Sequence, residues 1–157
     1  MATIEGPFGR FDYTKYKQPQ IWIAAGIGVT PFVAWANTLT DTHAPVTLYY
    51  SVRDANQAAH IDELQTISDR LSNFTLILHE TKSGKRLNAD TLLVAQGTSL
   101  KETRVFFCGP EAMRKSLKAD LHMKGLPHRA FHYEEFEIRS GIGLERLAAH
   151  LLKRVLG

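Results

Sequence analysis

Two short stretches hold residues whose types and spacing suit chemistry. The first is Ala24-Ala25-Gly26-Ile27-Gly28-Val29-Thr30-Pro31. Its glycines let backbone approach a ligand closely, Thr30 is placed to N-cap a helix, and Pro31 suits that helix's first position. A helix start presented this way offers free N–H groups and a positive dipole end to an anion such as a diphosphate. The same residues also describe a plain strand-to-helix turn, and Pro31 stands where the dinucleotide fingerprint has its third glycine. Both readings stay open on local sequence. The second stretch is Cys108-Gly109-Pro110. Cys108 and Arg114 have the spacing of cysteine-dependent phosphatases, whose thiolate and arginine face one anion. That site needs a ring of N–H donors and a depressed thiol pKa. Pro110 removes a donor, Glu111 brings a negative charge into the cradle, and no His precedes the Cys, so a small packed thiol is the simpler reading.

These residues need elements to position them, and hydrophobic periodicity supplies a βα alternation. Strands are expected at 21–25, 46–51, 74–78, 104–108 and 130–133. Helical patterns run over 32–39, 57–71, 89–96 and 111–124, the second of them with Ile61, Leu64, Ile67 and Leu71 on one face. Alternation of this kind implies a parallel sheet, because parallel neighbours need crossovers. The expected fold class is α/β: a three-layer, doubly wound sheet of about five parallel strands, with ligands at the carboxyl ends near the switch point. Both chemical stretches fall on that edge.

Composition narrows the function classes. A chain of 157 residues, 44% hydrophobic and 22% charged, is of single-domain, globular type. Nineteen basic against sixteen acidic residues leave a net charge of +3, too small and scattered to argue for nucleic acid. One Cys excludes an internal disulfide and suits a reducing compartment, and no apolar run spans a membrane. Seven His are not grouped at ligand spacing, so no metal site is expected, and there is no Walker lysine, paired-carboxylate site or nucleophile elbow. Trp22 and Trp35 are expected in the core, each needing a partner for its N–H.

Four motifs occur in register: Gly26-x-Gly28-x-Thr30-Pro31-Phe32, Tyr50-Ser51-Val52-Arg53, Cys108-Gly109-Pro110-x-x-Met113 and Phe131-His132-Tyr133-Glu134-Glu135-Phe136. In this order they resemble the ferredoxin–NADP reductase superfamily, specifically the nicotinamide-binding half of bacterial ferric-reductase-like and NADPH-oxidase-like proteins. The resemblance covers about residues 4–139. It divides the chain into the end of a flavin domain with a linker (1–20, including Glu5-Gly6-Pro7-Phe8-Gly9), an NAD(P)H-binding domain (21–139) and an amphipathic tail (140–157).

The resemblance implies hydride passage from NADPH, or NADH, to FAD held by an absent upstream domain, then onward to haem, ferric iron or another acceptor. Gly26, Gly28, Thr30 and Pro31 would hold the diphosphate. Cys108, Gly109, Pro110 and Met113 would line the nicotinamide pocket, with Cys108 positioning the ring. Phe136 would stack on the flavin, and Glu134 would be the nearby carboxylate. Ser51 and Arg53 follow the second strand, where an Arg accepts the 2′-phosphate of NADP, and Arg86 would assist. Asp54 leaves the sign of that pocket ambiguous. The partners implied are a nicotinamide nucleotide, a flavin-binding domain and a haem-bearing membrane domain, with this domain cytoplasmic, at the inner membrane in the full-length protein. The flavin barrel and its Arg-x-Tyr-Ser/Thr motif are missing, Ala25 replaces a family glycine, and an exposed apolar patch around Phe8, Pro110 and Phe136 is expected where the flavin domain docks. A domain cut from a longer protein, binding nucleotide without turnover, is the resulting expectation. The alternative is a nucleotide-sensing regulatory module without electron transfer.

Overall fold

The structure, a computed structural model, describes residues 11–82, 84–94 and 99–134. Five apolar runs become strands: β1 (Gln20–Ala25), β2 (Val46–Val52), β3 (Phe74–Glu80), β4 (Arg104–Cys108) and β5 (Phe131–Glu134). Four α-helices connect them: α1 (Thr30–Thr38), α2 (Ile61–Arg70), α3 (Ala89–Val94) and α4 (Glu111–Met123). All strand pairs are parallel, in the order β3-β2-β1-β4-β5. The chain therefore moves outward one way from β1 and resumes on its other side at β4. The switch point between β1 and β4 brings the carboxyl ends carrying Gly26 and Gly109 side by side.

Alternation along β1 divides the core in two, as strand geometry requires. Trp22 and Ala24 face a cluster containing Phe32 and Ala36 of α1 and Leu64 and Ile67 of α2. Ile21 and Ile23 face the opposite cluster with Leu92 of α3 and Leu117 and Leu121 of α4. The expected three layers follow from those two faces. Past their polar first residues, Gln20 and Arg104, the central strands β1 and β4 are apolar because both sides are covered.

Trp22 is fully buried and its indole N–H donates to Gln20 Oε1 at 2.9 Å. Gln20 in turn donates to the Tyr13 carbonyl at 3.0 Å, which ties the segment before β1 to the core. Phe11 and Tyr13 join Trp22, Phe32 and Trp35 in one aromatic group on that face.

Some boundaries differ from the sequence expectation, for local reasons. The helical pattern over 57–71 begins later, at Ile61. Asp54 caps a one-turn 3-10 helix at Ala55–Gln57 instead, and His60 adopts a left-handed conformation (φ 59°) before α2 starts. Thr30 does not N-cap α1. A 3-10 turn over Gly26–Val29 runs straight into the helix, so Thr30 is already helical (φ −53°), and its hydroxyl donates to the Ile27 carbonyl at 3.0 Å. The last strand starts at Phe131 and not 130, because His128–Ala130 forms a 3-10 turn. Phe8, Phe136 and the tail lie outside the described residues.

Candidate functional site

The carboxyl edge is built by two loops that interlock. Gly26 leaves β1 with φ 54°, a left-handed conformation that suits glycine, in open space. Gly28 is needed for a different reason: a β-carbon there would lie 2.2 Å from the Cys108 carbonyl oxygen and 2.6 Å from its carbon. Gly109 answers from β4, where a β-carbon would stand 2.8 Å from that of Ala25. Ala25, the residue standing for a family glycine, thus leaves no room for anything but glycine at 109. Pro31 occupies the first turn of α1, and no side chain caps the helix's leading N–H groups. The Thr30 N–H is given to the Ile27 carbonyl of the preceding 3-10 turn, and Pro31 has no N–H to give.

Two clefts open on this edge and meet at Ser51 and Thr81. The smaller, about 290 Å³, is lined by Gly26, Ile27, Tyr50, Arg53 and Gln57 among others. The larger, about 640 Å³, runs between the segment after β3 and the start of α4, with Arg86, Asn88, Pro110 and Met113 in its wall. Together they are of the size that holds a nucleotide-sized ligand. Among the described residues their charged lining residues are Arg53 and Arg86, and no carboxylate lines either. Asp54, next to Arg53, is in neither wall. Its Oδ1 accepts from the Asn56 N–H at 3.2 Å and its Oδ2 from Lys82 Nζ at 2.9 Å. Those two contacts, with Lys82 the stronger influence, hold its carboxyl below the ordinary range.

Cys108 ends β4, fully buried and paired in register with Glu134 of β5. Burial, with the Glu134 charge adding to it, pushes the thiol up to about 12. Its thiol therefore stays neutral in ordinary solution, which removes the phosphatase reading. Arg114 stands away from such a role as well, with its guanidinium 4.1 Å over the Tyr133 ring and 3.7 Å from Glu111.

Of the predicted residues, Gly26, Ser51, Arg53, Arg86, Pro110 and Met113 line the two clefts, whereas Gly28, Thr30, Pro31, Cys108 and Gly109 lie at the ends of β1 and β4 without lining either, and Glu134 pairs with Cys108. Phe136 lies outside the described residues. Sequence reasoning missed Thr81, which lines both clefts and follows β3 on the ligand edge. Its position one residue past a strand end was the available signal. Gln57 was assigned to a helix and instead reaches the smaller cleft from the capped turn.

Comparison with known proteins agrees with this geometry. The family model described as oxidoreductase NAD-binding domain matches residues 22–119. The heme-dependent oxidative N-demethylase beta subunit of Ectopseudomonas mendocina is 36% identical, over 85% of this chain and 40% of its own length. The carnitine monooxygenase reductase subunit of Escherichia coli is 28% identical, over 90% of this chain and 42% of its own. Among solved structures, a cytochrome P450 reductase of Amycolatopsis shares the fold with a TM-score of 0.68 at 23% identity, covering 83% of this chain and 42% of that one. The chain thus spans about two fifths of the length of these relatives. Affinity to the ferric-reductase-like branch rests on the motifs alone. From the matched model, the parallel sheet and the glycine-built edge at its switch point, the chain belongs to the oxidoreductase NAD-binding domain family, within the ferredoxin–NADP reductase superfamily.

Proposed function

We propose that the chain is the nicotinamide-nucleotide-binding unit of a flavin-dependent oxidoreductase, passing hydride from NADPH to FAD on a separate domain. One observation carries the reading. Two clefts that meet at Ser51 and Thr81 open beside Gly26 and Ile27 and hold Arg53 and Arg86, with no carboxylate among the described residues in their walls. A dinucleotide diphosphate sits against the exposed Gly26 and Ile27 at the turn that leads into α1. Ser51 and Arg53 receive the adenosine ribose, and an Arg there suits the 2′-phosphate of NADPH more than an acid would. Arg86 adds charge from the second wall.

The nicotinamide end lies towards Cys108, Gly109 and Pro110. Cys108, neutral at its pushed-up pKa, serves as a small packing and positioning group and not as a nucleophile. Glu134 stands beside it on β5. The bound flavin supplies the hydride acceptor, and transfer requires the two rings within about 3.5 Å. The flavin-stacking role of Phe136 rests on the family resemblance. In the full-length protein the electrons go on to haem, ferric iron or an oxygenase-type partner, the last suggested by the reductase relatives. With a haem-bearing membrane domain, this unit would lie on the cytoplasmic side. No helix among the described residues is long and apolar enough to cross a membrane itself.

The test is to join the chain to its upstream flavin-binding sequence and follow NADPH-dependent reduction of ferricyanide. Turnover that falls on Gly28→Ala or Arg53→Ala is expected. A folded, flavin-loaded protein that binds NADPH without any turnover would instead leave a nucleotide-sensing module.

A further inference from the structure

The basic character of the ribose end depends on where the Asp54 charge goes. Parallel register sets Val52 opposite Glu80, and the pairing continues past the strand ends through the Thr81 N–H to the Val52 carbonyl at 2.9 Å and the Lys82 N–H to the Arg53 carbonyl at 3.0 Å. Glu80 Oε2 accepts from the Ala55 N–H at 2.9 Å. Residues 52–55 are thereby tied to 80–82 by these three hydrogen bonds and by the Lys82–Asp54 ion pair. Neither member of that pair lines a cleft, whereas Arg53 does.

We infer that Lys82 sets the nucleotide preference of this edge through Asp54: it holds and neutralises that carboxylate outside the cleft, leaving Arg53 as the charge that meets the ribose and so favouring a 2′-phosphorylated nucleotide. The inference rests on the nucleotide-binding reading above and adds a specificity role to a residue outside the binding walls. Lys82 is a positioning residue. Without it, the Asp54 carboxylate stands without that countercharge one residue from Arg53. That charge repels a 2′-phosphate and is free to accept from the ribose hydroxyls of an unphosphorylated nucleotide. The pair is largely solvated, its lysine side chain 72% exposed, so the effect is an electrostatic bias that salt reduces.

Calorimetric titration of the full chain with NADPH and with NADH, at low salt, tests this in five forms: wild type, Lys82→Met, Lys82→Arg, Asp54→Asn and the Lys82→Met/Asp54→Asn double variant. Asn keeps the cap on Asn56, so the turn is retained. The NADPH:NADH affinity ratio is expected to fall about three- to tenfold in Lys82→Met. It should be restored by Lys82→Arg, and in the Asp54→Asn background Lys82→Met should change it no further. An equal fall in both backgrounds would mean that Lys82 meets the phosphate itself, which overturns the inference. So would an unchanged ratio in Lys82→Met. NMR titration of the Asp54 carboxyl needs no nucleotide and separates the two levels of the argument. An ordinary carboxyl pKa in wild type overturns the ion-pair clip. A depressed one in a chain that binds neither nucleotide overturns the binding reading, and the selectivity role with it.

Discussion

Replacing Gly28 by Ala probes the interlock at the switch point most sharply. The new β-carbon would lie 2.2 Å from the Cys108 oxygen and 2.6 Å from its carbon, and both are backbone atoms of a central strand. No rotamer change relieves such a contact, so one of the two loops must move. Overpacking a tight site costs about 1–3 kcal/mol and occasionally more, and a backbone collision belongs at the upper end, about 3 kcal/mol. Gly26→Ala is the matched control. Its site is open, so only the left-handed backbone matters, at about 1–2 kcal/mol. For a chain of this length each kcal/mol moves Tm by about 2–4 °C, giving about 6–12 °C for Gly28→Ala and about 2–8 °C for Gly26→Ala. Thermal unfolding by circular dichroism reads both, and Gly26→Asn, which tolerates the left-handed region, should recover most of the loss. A Gly28→Ala protein as stable as wild type, or less affected than Gly26→Ala, would refute the close approach of the two loops.

Other outcomes follow from the same structure. Gln20→Leu removes the acceptor for the buried Trp22 N–H and should cost about 1–3 kcal/mol in denaturant unfolding, whereas a neutral effect would deny that partnership. Because burial pushes the Cys108 thiol up to about 12, the folded state resists its ionisation, so stability should fall as pH rises from about 9 towards 12. Cys108→Ala should flatten that slope. Alkylation of Cys108 by iodoacetamide at pH 8 should proceed only through unfolding, and rapid labelling of the native protein would contradict its burial. His132, half-buried, stacked on Phe106 and held below its ordinary pKa by burial and then by Arg104, is disfavoured as a cation in the folded state. Its share of stability is present above pH about 6.5 and lost as pH falls through the lowered value, and His132→Phe should remove that acid-side dependence.

The sheet was legible because the covered strands are continuous apolar runs, Ile21 to Ala24 and Val105 to Cys108 being fully buried. Helix α2 was legible from its three- and four-residue spacing, but its start was not. A capped turn at Asp54 and a left-handed His60 are tertiary choices that periodicity does not encode. Thr30 carries an N-cap residue type, yet the 3-10 turn before it had already made the chain helical. At the site, the glycines and the two arginines stood out by their place after strands. Thr81 shared that placement but was passed over, and the Lys82–Asp54 pair gave no signal, because it depends on the β2–β3 register that joins residues 28 apart in sequence. Gln20 gave no signal, since a polar residue opening a strand is ordinary until a buried indole needs its oxygen.

The central claim is that the interlocked edge binds a nicotinamide nucleotide, and amide NMR of this chain titrated with NADPH tests it most directly. Saturable shifts are predicted at Gly26, Gly28, Thr30, Ser51, Arg53 and Gly109, weakened at least about tenfold in affinity by Arg53→Ala. A folded chain whose amides do not respond, or respond only around the remote surface of Asp90, Asp120 and Lys124, would contradict it.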